Sequence, residues 1–217
     1  MKGKPLKTTV LSCRIIPNGD PSLLSALQVP EGHRSLGIIT TDCDDVSYAA
    51  LDEATKKATV KVVYARSMYA GSSNASTALA GEFLGILSGP DPEEVKSGLL
   101  AASEFCEESA CFYSANDDDT IVYFAHCISR TGSFLSEQAG VEQGMPLAYL
   151  IAPPMEALLG LDAALKAAQV EMQLFYGPPT ETNFAGGLLS GDQAACKAAC
   201  EAFAQTVCAV ADNPLGF

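Results

Sequence analysis

Apolar and polar positions along this chain keep two rhythms, and the rhythms change in the same order twice. TTVLSCRII (Thr8 to Ile16), the apolar run SLGIITT (Ser35 to Thr41) and TVKVVYARS (Thr59 to Ser67) read as strands, with a further strand through Phe83 to Leu87. Their apolar runs and period-two alternation are what a pleated surface covered on one or both faces requires. Between them, Pro21 to Gln28 reads as a short helix, with Asp20 as its N-cap and Pro21 at the first helical position. Asp44 to Lys57 reads as a longer helix whose first turn carries Asp44 and Asp45. Asp91 and Pro92 open a third helix, with Val95, Leu99 and Phe105 facing a core.

The second half repeats the order. It runs Ile121 to Ile128 (strand), Gly132 to Gln138 (short helix), Pro146 to Ala152 (strand), Met155 to Ala168 (helix), Val170 to Tyr176 (strand) and Phe184 to Ser190 (strand). A last helix runs from Gln193 to about Val210, opened by Asp192, with Cys196, Cys200, Phe203 and Val207 on one stripe. Helices on small sheets define an α+β class, each copy a small antiparallel sheet flanked by helices.

The wording repeats as well as the rhythm. LDEATKKATV (Leu51 to Val60) returns 110 residues later as LDAALKAAQV, with six of ten positions matched. GILSG at Gly85 returns as GLLSG at Gly187, and SLLS at Ser22 returns as SFLS at Ser133. Two copies of this length are a duplicated domain rather than a solenoid. The acidic turn from Ser114 to Asp119 separates the halves, giving expected domains 1–113 and 114–217. The copies differ between their matched blocks: Lys61 to Leu84 is longer than its counterpart Glu171 to Gly186, and variable connections on a shared frame are where specific function sits.

Composition narrows the function classes. With 48% hydrophobic and 18% charged residues, the chain has ample material for a core. A net charge of −13 without basic clusters argues against nucleic acid and against anionic lipid surfaces. Cationic small molecules suit such a field. No apolar run is long enough to span a membrane, and no secretory leader is evident. Eight cysteines without a CxxC pair, and two distant histidines, His33 and His126, support neither a disulfide framework nor a zinc site. A reducing cytoplasm is the expected setting, and Cys196 and Cys200 read as small buried hydrophobes. No Gly-rich phosphate loop or Ser-His-Asp pattern marks an enzyme.

Several stretches carry a family resemblance. PLAYLIAPPMEALLGLDAALKAAQVEMQ (Pro146 to Gln173) resembles the strand-helix-strand opening of a bacterial microcompartment shell domain. GGLLSGDQAACKAACEAF resembles that domain's small-residue strand and following helix. SRTGSFLSEQAG and TTDCDDVSYAALDEATK extend the likeness across both halves, over about residues 8 to 214. The chain is most similar to the tandem, circularly permuted members associated with ethanolamine utilisation.

The resemblance implies a homotrimer whose six domains form a pseudohexagonal tile. Such a tile meets other microcompartment shell proteins edge to edge, in a microcompartment within the cytoplasm. It implies a loop-gated central pore and three small pores, one per subunit, and no enzymatic activity. By position the gating loops are Tyr69, Ala70, Gly71, Ser72, Ser73 and Asn74, in a segment running on to Thr77, and Gly177, Pro178, Pro179, Thr180, Glu181, Thr182 and Asn183. Their turn-forming composition suits loops that rearrange. No cofactor is required; cobalamin is a cargo or ligand that the resemblance admits.

The same resemblance puts Asp44, Asp45 and Glu156 at a small pore that takes ethanolamine, with Glu82, Phe112 and Ser129 as further lining positions. A carboxylate ring attracts cations, and protonated ethanolamine is a small ammonium alcohol. The plain reading of Asp42, Asp44, Asp45 and Glu156 is helix capping and dipole compensation, and it stands beside the functional one. His126 reads as a satisfied, half-buried strand histidine, and Cys43 lacks the neighbours a metal needs. Asp117 to Asp119 read as a solvated turn. Lys56 and Lys166 are either tile-edge contacts or exposed helix lysines. A duplicated regulatory domain binding a small ligand, without tiling, is the alternative function.

Overall fold

The structure, a computed structural model, describes residues 2–68 and 76–216. Two compact units divide the chain, one comprising Thr8–Ala110 with Gly132–Leu135, the other Met1–Lys7, Cys111–Thr131 and Ser136–Phe217. Each is an antiparallel sheet carrying two long helices.

The Thr8–Ala110 unit holds strands β2 (Val10–Ile16), β3 (Ser35–Thr41), β4 (Lys61–Ser67) and β5 (Phe83–Gly89), in spatial order β2-β3-β5-β4. Helices α2 (Asp44–Lys57) and α3 (Pro92–Glu104) pack on one another and on this sheet. Short helix α1 (Pro21–Ala26) follows β2 and has no buried residue. Its cap is the expected one, the Asp20 carboxylate accepting from the Ser22 amide at 2.9 Å. Asp91 caps α3 in the same way, accepting from Glu93 and Glu94 at 2.9 Å each. The core is built from Leu36, Val46, Leu51, Phe83, Leu87, Val95 and Ala102, all at most 1% exposed. A π-helical turn (Phe105–Ser109) continues α3, which the periodicity does not anticipate; there Cys106 enters the core while Phe105 is half-buried.

The second unit repeats the topology as β7 (Val122–Ile128), β8 (Leu147–Ala152), β10 (Ala185–Ser190) and β9 (Glu171–Tyr176). Helices α5 (Pro154–Ala167) and α6 (Gln193–Asp212) pack against each other and on the sheet. The stripe Cys196, Cys200, Phe203 and Val207 is buried as its spacing requires. Two short strands absent from the sequence reading, β1 (Pro5–Leu6) and β6 (Phe112–Ser114), extend the sheet to six in the order β1-β6-β7-β8-β10-β9. Their apolar runs are too short to register as a period. The acidic turn after Ser114 joins β6 to β7 inside this unit, where Lys4 reaches Asp119 at 2.6 Å.

Duplication extends to local irregularities. In β4 the register slips between Val62 and Tyr64, and in the β9–β10 pairing it slips between Leu188 and Leu189, skipping Gln173. Val63 and Gln173 are equivalent in the repeat, so both copies carry one bulge at one place.

The short helices differ. Helix α4 (Ser133–Ala139) follows Gly132, which has no side chain to cap with, and the first turn is capped from α2 instead. Asp52 accepts from the Gly132 amide at 2.7 Å and the Leu135 amide at 2.8 Å, and Thr55 Oγ1 accepts from the Ser133 amide at 3.0 Å. A Cβ at position 132 would lie 2.2 Å from Thr55 Oγ1 and 2.5 Å from the Asp52 carbonyl, so only glycine permits this approach. Burial lifts the Asp52 carboxyl above its ordinary value, while the Gly132 and Leu135 amides and the Lys56 charge pull the other way.

A carboxylate cluster where β3 meets α2

The chain leaves β3 at Thr41 and enters α2 at Asp44, and three side chains fix this corner. Thr41 Oγ1 lies 2.6 Å from Ser47 Oγ, and both hydroxyls donate to the Cys43 carbonyl, at 2.9 and 2.7 Å. Cys43 occupies the N-cap without a side-chain capping bond. The first turn is satisfied partly by Asp44, whose Oδ1 accepts from the Asp45 amide at 2.9 Å. Asp44 and Asp45 are each only 7% exposed. Two carboxylates at a helix start gain from the macrodipole, but capping alone does not require burying both.

Glu82 joins them from the strand side. Gly81 adopts φ +62°, and a Cβ there would fall 2.0 Å from the Thr41 carbonyl. The chain therefore presses against the end of β3, with the Glu82 amide donating to Thr41 at 2.8 Å and its carbonyl accepting from Met68 at 2.7 Å. Half-burial pushes the Glu82 carboxyl up to about 7, helped by the charges of Asp44 and Asp42. Asp42 has its own structural task, accepting from the Thr9 amide at 2.7 Å. Burial likewise raises the Cys43 thiol, and the charges of Asp45 and Asp44 add to the rise.

Asp42, Asp44, Asp45 and Glu82 thus belong to one corner of the Thr8–Ala110 unit. The remaining expected positions lie in the other unit. Glu156 stands in the first turn of α5, partly exposed. Ser129 is exposed, its Oγ accepting from Gln193 Nε2 at 2.9 Å. Phe112 is 8% exposed and packs among aromatics, 5.4 Å from Phe124 and 5.8 Å from Phe184.

The segment from Gly177 to Asn183 closes on itself. Thr180 donates to the Phe184 carbonyl at 3.1 Å and accepts at Oγ1 from the Phe184 amide at 3.1 Å, while Asn183 donates to Thr180 at 3.0 Å with φ +64°. The Pro178–Pro179 bond is cis. The other expected gating residues, Tyr69 to Asn74, lie outside the described residues.

Other candidates take ordinary roles. His126 is half-buried and stacks on Phe124 at 5.6 Å. All eight cysteines are free thiols. Among the described residues no group of three or more His, Cys, Asp or Glu is placed to hold a metal, and no helix is long and apolar enough to cross a membrane. Lys56 pairs with Glu53 at 2.5 Å and Asp52 at 3.6 Å, and Lys166 with Asp162 at 2.6 Å. The sequence reading overlooked Asp52, although its recurrence in both LDxA blocks was visible; its partners lie eighty positions away.

Two copies of a four-stranded antiparallel sheet backed by two helices define a tandem shell-domain architecture, and comparison with known proteins agrees. The BMC domain family model matches residues 35–116, starting at the first residue of β3 and leaving β2 and α1 ahead of it, as a circular permutation requires. The chain is 61% identical, over 100% of both chains, to "Bacterial microcompartment shell protein EutL" of Clostridium perfringens. The Salmonella typhimurium protein of that name is 48% identical over 97% of this chain and 96% of its own. The crystal structure of ethanolamine utilization protein EutL from Leptotrichia buccalis superposes with a TM-score of 0.98 at 64% identity, covering 100% of both chains. The chain belongs to the bacterial microcompartment shell protein family, and its role is that of a structural shell component.

Proposed function

We propose that this chain is a tile of an ethanolamine-utilisation microcompartment shell: a homotrimer whose six domains give a pseudohexagonal outline and which assembles edge to edge with other shell proteins. The full-length identity to proteins named EutL carries the reading. The repeat supports the stoichiometry, because three copies of two like domains fill six positions. In this reading 1–113 and 114–217 are the two repeated domains, and the chain catalyses no reaction.

The tile passes small solutes through acidic openings. Asp44, Asp45 and Glu82 supply the negative field, supported by their confinement to one half-buried corner. Glu156, Phe112 and Ser129 complete the lining. Protonated ethanolamine fits such a field in charge and size. The longer connection after β4, Tyr69 to Asn74 included, and the segment Gly177 to Asn183 act as gates of a larger central opening for bulkier cofactors, cobalamin among them.

Sedimentation and electron microscopy of concentrated protein test the tile. A trimer forming flat hexagonally spaced sheets is expected. A monomer that never tiles but binds a small ligand saturably overturns it in favour of a duplicated regulatory domain.

A further inference from the structure

Each unit has a groove between its second long helix and one strand of its sheet, and the two grooves are equivalent. In the first unit Cys13 of β2 is paired with Ile39, and Ile39 with Gly85; in the second, Ala125 of β7 is paired with Leu150, and Leu150 with Gly187. Gly85 and Gly187 open the repeated GxLSG words, so Cys13 stands for Ala125. Lys96 likewise stands for Lys197, and with it Leu99 for Cys200, Leu100 for Glu201 and Ser103 for Ala204. Cys13, Leu99, Leu100 and Ser103 line one groove; Ala125, Cys200, Glu201 and Ala204 line the other.

The grooves differ in what covers them. In the second unit β6 pairs with the outer edge of β7, and Tyr113 stacks on Tyr123 with ring centroids 6.0 Å apart, leaving a hollow of about 190 Å³. In the first unit β2 ends the sheet, and among the described residues no strand pairs with its outer edge. The groove there is about 420 Å³, and Leu100 on its wall is 62% exposed. A bare strand edge beside an apolar groove is where an extended segment adds to a sheet.

Charge changes along with cover. The second groove carries a carboxylate, Glu201, where the first has Leu100. In a chain of net charge −13, the first groove is lined by two cations, Arg14 and Lys96, and by no acid. Arg14 donates from Nη1 to the Cys13 carbonyl at 2.9 Å, and the Lys96 side chain is 58% exposed, 3.9 Å from Glu93.

We propose that an extended segment of a partner protein docks on the first unit as a further strand beside β2. It places an aromatic side chain against Leu99 and Leu100, in the position that Tyr113 holds in the other unit, with flanking carboxylates toward Arg14 and Lys96. Main-chain pairing supplies the affinity, and the groove and its two cations select the sequence. The inference concerns one unit alone and stands whether or not the chain forms a tile.

The test uses the full chain and a fluorescein-labelled peptide, Glu-Ser-Phe-Tyr-Ser-Glu, which sets the Phe112–Ser114 sequence between carboxylates, beside a second peptide with lysines in place of both glutamates. Fluorescence polarisation should show saturable binding of the acidic peptide, about tenfold or more tighter than the lysine peptide. Hydrogen exchange read by mass spectrometry should show the acidic peptide protecting residues 10–16 and leaving 122–128 unchanged. Arg14→Glu with Lys96→Glu should invert the preference, the lysine peptide now binding the tighter, which a variant that merely unfolds cannot do. Absence of saturable binding, binding without protection of 10–16, or a preference that the two substitutions leave unchanged overturns the proposal. Protection of 10–16 that rises with protein concentration in the absence of peptide assigns the edge to a second copy and overturns it as well.

Discussion

The carboxylate of Asp52 accepts a 2.7 Å hydrogen bond from the amide of Gly132, eighty positions further along the chain. Its repeat counterpart Asp162 sits on the surface of α5 and pairs with Lys166 at 2.6 Å, with 61% of its side chain exposed. One repeated letter therefore has two different roles. Asp52→Ala leaves buried amides at Gly132 and Leu135 without an acceptor and is expected to cost about 2 kcal/mol. Asp162→Ala is expected to cost less than about 0.5 kcal/mol. Denaturant unfolding of the two variants side by side measures the contrast; equal losses would contradict it.

Gly132 is the other half of that contact. Because a Cβ would reach 2.2 Å from Thr55 Oγ1, Gly132→Ala must push α4 away from α2. A destabilisation of about 1–3 kcal/mol is expected, and Thr55→Ser should not relieve it, since the clashing oxygen stays. Melting temperatures of the single and double variants provide the check.

Glu82 gives the protein a stability slope near neutrality. Its carboxyl is pushed up from 4.5 to about 7, so the folded state holds its proton more tightly than the unfolded chain does. The stabilisation is complete below the ordinary glutamate value and is lost as pH rises through about 7. Glu82→Gln is expected to be more stable than the parent above neutrality, and the advantage should shrink toward pH 4.5. Guanidinium midpoints across pH 4–8 measure this, and parallel profiles would exclude it.

The same group links proton and ligand at the proposed cation site. An ammonium bound beside Glu82 favours the ionised carboxylate, so ethanolamine binding should release a proton and strengthen from pH 6 to 8. Calorimetry in buffers of different ionisation enthalpy reads the proton directly. Asp45→Ala and Glu156→Ala should each abolish or strongly weaken the binding; unaltered affinity in both would remove the site.

Thiol chemistry should divide by burial. Burial pushes Cys106 up to about 12 and Cys196 up to about 11, and it raises Cys200 further. These three are expected to resist an aromatic disulfide reagent at pH 8 until denaturant is added, because only the thiolate attacks. Labelling with mass spectrometric localisation tests the order; rapid modification of Cys200 in the folded protein would refute it.

Much of this molecule is carried by local pattern. Asp20, Asp91 and Asp192 cap the helices their positions suggest, and β3 and α2 begin and end at the expected residues. These features depend on a few consecutive side chains and their own backbone, so spacing reveals them. The duplication is equally local, being written in repeated words, and with it came the shell-domain likeness. The acids at Asp44 and Asp45 were visible as a helix start, but not as a buried pair.

What tertiary structure alone decided involves partners far apart in sequence or differences between like positions. Glu82 meets Asp42 and Asp44 only because Gly81 lets the chain lie on the end of β3. Strands β1 and β6 pair across more than a hundred residues and are too short to announce themselves. Asp52 and Asp162 are the same letter in the same word, yet one is buried under α4 and the other is in water. A repeat determines which residues are equivalent; burial and charge act through neighbours, and neighbours are set only when the chain has folded.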